Sequence, residues 1–179
     1  PLPHMVDGVR FLEQAGAQLI AIPCNTAHLW FDEIAASTRL PVLHIIEAVI
    51  EDLRRLGLPS GRIGLMGTAA TLKLGLYQRH LEAQGYECIV PDDDEVERFC
   101  MGSIRAVKGN QLEDAFAPAA ECIARLKARG ADAVVLGCTE LPLAVPHALR
   151  PSLGVTLTDS IDALARAAIA HYQADQPAE

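Results

Sequence analysis

Two short stretches place a thiol among small hydrogen-bonding side chains. IPCNTAH (22–28) holds Cys24, followed by Asn25 and Thr26, and LGCTELP (136–142) holds Cys138, followed by Thr139 and Glu140. A thiolate can act as a base, a nucleophile or a metal ligand, and its use depends on how readily the thiol ionises. Both cysteines follow an apolar run and precede a helical pattern. Peptide N–H groups and the helix dipole there favour the anion. The expectation is a thiol pKa below the ordinary value of about 8.5, and a drop of about 1.5 corresponds to about 2 kcal/mol.

Two thiols facing each other across a small cleft titrate as a pair, with one thiolate and one thiol as the resting state. A thiolate then removes a proton from one face of a carbon while the opposite thiol returns one to the other face, which inverts a stereocentre. Asn25, Thr26 and Thr139, with nearby backbone N–H groups, are suited to hold a carboxylate and to stabilise developing enolate charge. Thr26 and Thr139 can equally cap the helices that follow.

The two stretches repeat a longer plan. GAQLIAIPCNT (16–26) aligns without gaps on GADAVVLGCTE (130–140), matching Gly16 to Gly130, Ala17 to Ala131 and Cys24 to Cys138. Each copy reads as a helix end, a Gly-Ala turn, a buried strand and a cysteine at the strand's carboxyl edge. In open α/β sheets that edge is where ligands bind. The expected fold is therefore α/β, with two pseudo-symmetric lobes of mostly parallel sheet flanked by helices. Residues 1–58 with 155–179 form the first lobe and 59–154 the second.

The elements alternate accordingly. Helical periodicity over 4–15 leads to an apolar run at 18–23, and a helix follows CNTAH. PVLHII (41–46) is a strand leading into a helix, GRIGLMG (61–67) a strand, and TLKLGLYQRHLEAQG (71–85) an amphipathic helix ending on Gly85. YECIV (86–90) is a strand, and PDDDEVERF opens a helix with acids in its first turn. The ladder Leu112, Phe116, Ala119, Ile123 and Leu126 marks a buried helix face, in which Pro118 imposes a kink or a start. ADAVVLG (131–137) is a strand and 159–172 a final helix. Strands alternating with helices imply a parallel sheet.

Composition narrows the partners. Half the residues are hydrophobic and only 4% aromatic, as in helices packed on a buried sheet. A net charge of −8 offers phosphates no basic stripe, so no nucleic-acid partner is expected. No apolar run reaches the roughly 18 residues that span a bilayer, so no membrane partner is expected. The five cysteines, with no CxxC pair, suit reduced thiols and a cytoplasmic location. Cys88, Cys100 and Cys122 read as buried small side chains. Other chemistries compete for the remaining pair. His28, four residues after Cys24, could join a metal site with Cys138 and His44 or His147, or a Cys–His hydrolase that would still need a third member. The run Asp92–Glu95 reads as a solvated helix start rather than a cation site, so no metal is expected.

IPCNTAH, GRIGLMGTAAT and VVLGCTELPL, in that order, resemble the aspartate/glutamate racemase family of cofactor-independent amino-acid racemases. The likeness runs from the helix before Cys24 to the final helix. It implies a two-lobed α/β fold, no pyridoxal phosphate or other cofactor, and a homodimer. By position, Cys24 and Cys138 correspond to the two acid/base thiols. Asn25, Thr26, Thr68, Thr71 and Thr139 fall on segments that grip the substrate's α-carboxylate and ammonium. Glu140 stands where aspartate racemases tend to carry Glu and glutamate racemases His. The implied substrate is aspartate, with glutamate as a second candidate. A dicarboxylate isomerase of the maleate type, using the same cysteines, and a small-acid-binding homologue without turnover are the alternatives. Family members normally begin with a strand, a glycine-rich turn, a helix and a second strand, whereas this chain starts after them. The isolated chain is therefore expected to be weakened relative to a longer gene product.

Overall fold

The computed structural model describes residues 1–174. Its larger sheet is built on four short runs between residues 61 and 159. Strands β3 (Gly61–Met66), β4 (Tyr86–Ile89), β5 (Ala133–Leu136) and β6 (Thr156–Asp159) lie in the order β4-β3-β5-β6, all parallel. Every residue of β5 is buried, as befits a central strand covered on both faces. A smaller parallel pair joins β1 (Ile20–Ala21) to β2 (Val42–Leu43), with Ile20 opposite Val42. Parallel sheets flanked by helices were the expected architecture.

Ten α-helices are present among the described residues: α1 (Leu2–Gln14), α2 (Phe31–Ala35), α3 (Ile45–Arg55), α4 (Ala69–Lys73), α5 (Leu76–Ala83), α6 (Asp93–Glu95), α7 (Met101–Lys108), α8 (Leu112–Ala128), α9 (Leu141–Ala144) and α10 (Ser160–Ala174). The main core joins the four-stranded sheet to α3, α5 and α8, with Ile45, Val49, Leu53, Leu81, Ile123 and Leu126 sealed inside. A smaller core of Val9, Ile20 and Ile34 holds α1 and α2 to β1. Burying each such Ile or Leu side chain contributes roughly 1.5–3 kcal/mol, and the greater number in the main core makes it the larger source of stability.

The repeat is present in backbone geometry. After α1, Gly16 (φ +87°) donates to Glu13 O and Ala17 to Leu12 O; after α8, Gly130 (φ +89°) donates to Lys127 O and Ala131 to Leu126 O. Both are the same left-handed helix stop, which glycine adopts without steric cost. Each stop leads into a short strand, and each strand into a cysteine.

Several elements differ from their sequence reading. The helix expected over 71–85 is two helices, because Gly75 (φ +64°) turns the chain between α4 and α5. PVLHII pairs only at 42–43, since His44 ends the strand and caps α3. Pro118 neither starts α8 nor stops it. The acidic run forms a capping box, Asp92 accepting from Glu95 N and Glu95 from Asp92 N. β6 was not anticipated. Placed with the first lobe by the 154/155 boundary, it pairs with β5 in the larger sheet, while its helix α10 packs on α3. Asp52 of α3 fastens this junction, accepting from Thr158 Oγ1 at 2.7 Å and pairing with Arg55 at 2.8 Å.

Candidate active site

Cys24 follows β1 and is exposed, whereas Cys138 follows β5 and is buried, 6% exposed. The chain between and around them is tied by side-chain hydrogen bonds. The Thr26 hydroxyl lies 3.0 Å from that of Thr71, which in turn lies 2.9 Å from that of Thr68. Thr68 caps α4 by accepting from Thr71 N. The loop after β3 thus meets the loop after β1 through three threonines. Neither Thr26 nor Thr139 caps a helix; their hydroxyls turn to Thr71 and Glu140 instead.

Asn25 is buried, and each end of its amide has a partner, with one N–H of Nδ2 left over. Nδ2 donates to Ser160 Oγ at 2.9 Å, and Oδ1 accepts from the Tyr77 hydroxyl at 2.6 Å. The Tyr77 ring continues to the second cysteine segment: a Cβ placed on Gly137 would lie 2.9 Å from Tyr77 Cε2 and 2.8 Å from Met66 O. Gly137 is therefore the one residue type that fits there. Burial pushes the Tyr77 pKa upward, so its hydroxyl stays protonated and remains a donor. Of the residues singled out in the sequence, Thr26, Thr71 and Thr68 form one chain of hydroxyls and Cys138, Thr139 and Glu140 another, while Asn25 is bonded to Tyr77 and Ser160, and the Tyr77 ring lies against Gly137.

The second network is electrostatic. Cys138 Sγ donates to Glu140 Oε2 at 2.8 Å, Thr139 Oγ1 donates to the same oxygen at 3.0 Å, and Lys108 Nζ lies 3.2 Å from Glu140 Oε1. The expected lowering of this thiol's pKa is not what the structure produces. Burial, followed by the hydrogen bond to Glu140, pushes the Cys138 thiol up to about 12. A nearby carboxylate opposes a second negative charge, and this outweighs the N–H groups of the short helix α9. Burial alone would raise Glu140 as well, but Cys138, Lys108 and Thr139 together hold its carboxyl below the usual range. The resting pair is a protonated thiol beside a carboxylate.

Cys100 and Cys122 are buried with their sulfurs 3.8 Å apart, and Cys88 is half-buried in β4 with its pKa pushed up to about 12 by burial. All five thiols are free. Among the described residues the group able to gather around a cation is His147, Asp159 and Asp162, and it contains neither Cys24 nor Cys138. Arg150 Nη2 already sits 2.7 Å from Asp159 Oδ2 there. No helix among the described residues is long and apolar enough to cross a membrane.

Sequence reading missed Tyr77, Ser160 and Lys108. Tyr77 looked like one more apolar position of a helix, and no local signal marks it as the partner of Asn25.

Comparison with known proteins places this arrangement. The family model described as Asp/Glu/Hydantoin racemase matches residues 1–168. The broad specificity amino-acid racemase RacX of Bacillus subtilis is 28% identical over 172 residues, spanning 96% of this chain and 72% of its own. Among solved structures, an aspartate racemase homologue from Pyrococcus horikoshii is 33% identical with a TM-score of 0.76, covering 92% of this chain and 70% of its own. The aspartate racemase of Picrophilus torridus is 30% identical with a TM-score of 0.78, covering 94% and 68%. With one family model running through both cysteine segments, and the same fold in relatives sharing about a third of their residues, the chain belongs to the Asp/Glu/Hydantoin racemase family.

Proposed function

We propose that this racemase-family chain interconverts the enantiomers of an acidic amino acid, aspartate foremost, by cofactor-free proton transfer between Cys24 and Cys138. The observation that carries the reading is the convergence of both cysteine segments on Tyr77, through Asn25 on one side and Gly137 on the other. The aspartate racemase and aspartate racemase homologue among its structural relatives favour that substrate.

In this reading the Cys24 thiolate removes the α-proton of one enantiomer. The electron pair left on the α-carbon is delocalised into the α-carboxylate, and Cys138 delivers its own proton to the opposite face. Cys24 ends as the thiol and Cys138 as the thiolate. Glu140 faces Cys138 Sγ and is the group through which Cys138 regains a proton. Cys24, being exposed, exchanges with water. The reverse reaction starts from the other protonation state. Asn25, Thr26, Thr68, Thr71 and Thr139 supply the hydrogen bonds that hold the α-carboxylate and ammonium, and hydroxyls and amides suit both charges. The homodimer implied by the family resemblance belongs to the same proposal, and sedimentation velocity tests it.

The test is incubation with L-aspartate in deuterium oxide. Deuterium should enter the α-position as optical activity is lost, and Cys24→Ala and Cys138→Ala should each abolish the loss of optical activity. Racemisation at the unaltered rate by either variant overturns the two-base scheme. Conversion of maleate without α-exchange in aspartate would assign the thiols to dicarboxylate isomerisation instead.

A further inference from the structure

We infer that His28 is a positioning residue for Cys24, holding the backbone of the thiol-bearing residue against the first turn of α3. The inference rests on the two-thiol reading above and adds a residue to it. His28 is only 5% exposed and lies on the 3-10 turn Thr26–Trp30. Both ring nitrogens are occupied: Nδ1 is 2.9 Å from Cys24 O, and Nε2 is 3.0 Å from Ile45 N. A backbone N–H can only donate, so Nε2 is the acceptor. The neutral ring then carries its proton on Nδ1, where it donates to the Cys24 carbonyl.

The ring cannot swing away from this pose. Phe31 stacks on it with centroids 5.7 Å apart and planes 9° from parallel, and His44 meets it edge-on at 4.9 Å. The far end of the bridge is firm, because Ile45, Ile46 and Val49 of α3 are sealed in the main core. Asn25 and Thr26 tie the chain just after Cys24, but on its strand side the near end has little to hold it. Cys24 follows a two-residue strand paired, among the described residues, with one other two-residue strand, β2. A pairing that short specifies register poorly. The imidazole thus transfers the rigidity of the core helix to the segment that carries an exposed thiol.

The opposite role, metal ligation, needs a ring nitrogen that His28 does not have to spare. Burial also lowers its pKa, which keeps the ring neutral and Nε2 able to accept.

Three substitutions separate the two bonds. An Asn amide nitrogen falls near the place of Nδ1, so His28→Asn can keep the bond to Cys24 O and lose the one to Ile45. His28→Gln reaches the place of Nε2 and does the reverse; His28→Phe keeps the stacking and loses both. For L-aspartate racemisation, His28→Gln and His28→Phe should lower kcat by roughly 100-fold, the scale of a 1 Å misplacement of a reacting group. KM should stay within about twofold. His28→Asn should lie within roughly fivefold of the unaltered kcat, though it melts earlier. The proposal is overturned if His28→Gln keeps its turnover while His28→Asn loses it, or if all three turn over normally.

A turnover-free readout distinguishes this failure from failure of the two-thiol reading. The rate of Cys24 alkylation by iodoacetamide, followed on the isolated peptide, should match the unaltered chain in His28→Asn and differ in His28→Gln and His28→Phe. Nitrogen-15 spectra of the labelled imidazole should show the Nδ1–H tautomer, and the Nε2–H tautomer would overturn the proposal whatever the substrate.

Discussion

The Tyr77 hydroxyl donates to Asn25 Oδ1 at 2.6 Å, across 52 residues of sequence, while the same ring closes on Gly137. Asn25 follows one cysteine and Gly137 precedes the other. A single buried side chain therefore sets how the two thiol segments stand to each other. Asn25 Nδ2 donates in turn to Ser160 Oγ at 2.9 Å, so the amide is held at both ends.

Tyr77→Phe retains the ring against Gly137 and removes the donor. Asn25 Oδ1 is then left buried without its partner, at a cost of about 1–3 kcal/mol. Urea denaturation should show the midpoint fall with the slope unchanged, and racemisation should slow with it.

Gly137→Ala forces a methyl group against Met66 O and the Tyr77 ring. One neighbour is backbone of the central strand β3 and the other is hemmed into the core, so neither yields cheaply. Overpacking of this kind costs roughly 1–3 kcal/mol. Loss of turnover should exceed that of Tyr77→Phe, because the whole ring shifts.

Glu140→Gln removes the charge that opposes ionisation of Cys138 while leaving a hydrogen-bonding head of the same size. The Cys138 thiol, now pushed up to about 12, should titrate lower, although its burial still holds it above the ordinary value. Alkylation of Cys138 as a function of pH reads that change directly. Racemisation should nonetheless fall by roughly 10- to 100-fold, since an amide cannot relay a proton to the sulfur.

Acid should loosen the same region through His44. Its Nδ1 accepts from Ile46 N at 3.2 Å and Glu47 N at 3.4 Å, which a protonated nitrogen cannot do. Phe31, His28 and His80 crowd the ring, and Asp32, Glu47 and Arg79 line the same 290 Å³ cavity. Burial, then His28 and His80, lowers the His44 pKa to about 3. A folded value below the unfolded one means that the unfolded chain binds the proton more readily. The stabilisation is complete above about 6.5 and declines as pH falls toward about 3. Because solvent reaches part of the ring, the loss between pH 7 and pH 4 should be on the order of 1–2 kcal/mol. His44→Asn, a good cap with no proton to gain, should flatten that dependence in thermal melts while keeping neutral-pH stability.

What the sequence by itself determined is the repeated unit: helix, glycine stop, buried strand, cysteine. Those features are local, because a left-handed stop needs Gly16 or Gly130 and a buried strand needs an unbroken apolar run such as AVVL. The break at Gly75 escaped because the apolar periodicity continues straight across it. TLTD of β6 escaped because it is short and half polar, and becomes a strand by pairing with β5. The tertiary structure alone decided that Asn25 meets Tyr77 and Ser160, that Glu140 accepts a hydrogen bond from the Cys138 thiol, and that Cys138 is harder to ionise than an isolated thiol. Hydrogen-bond partners, burial and charge proximity are properties of the packed space around a side chain, and sequence neighbours contribute only part of that space.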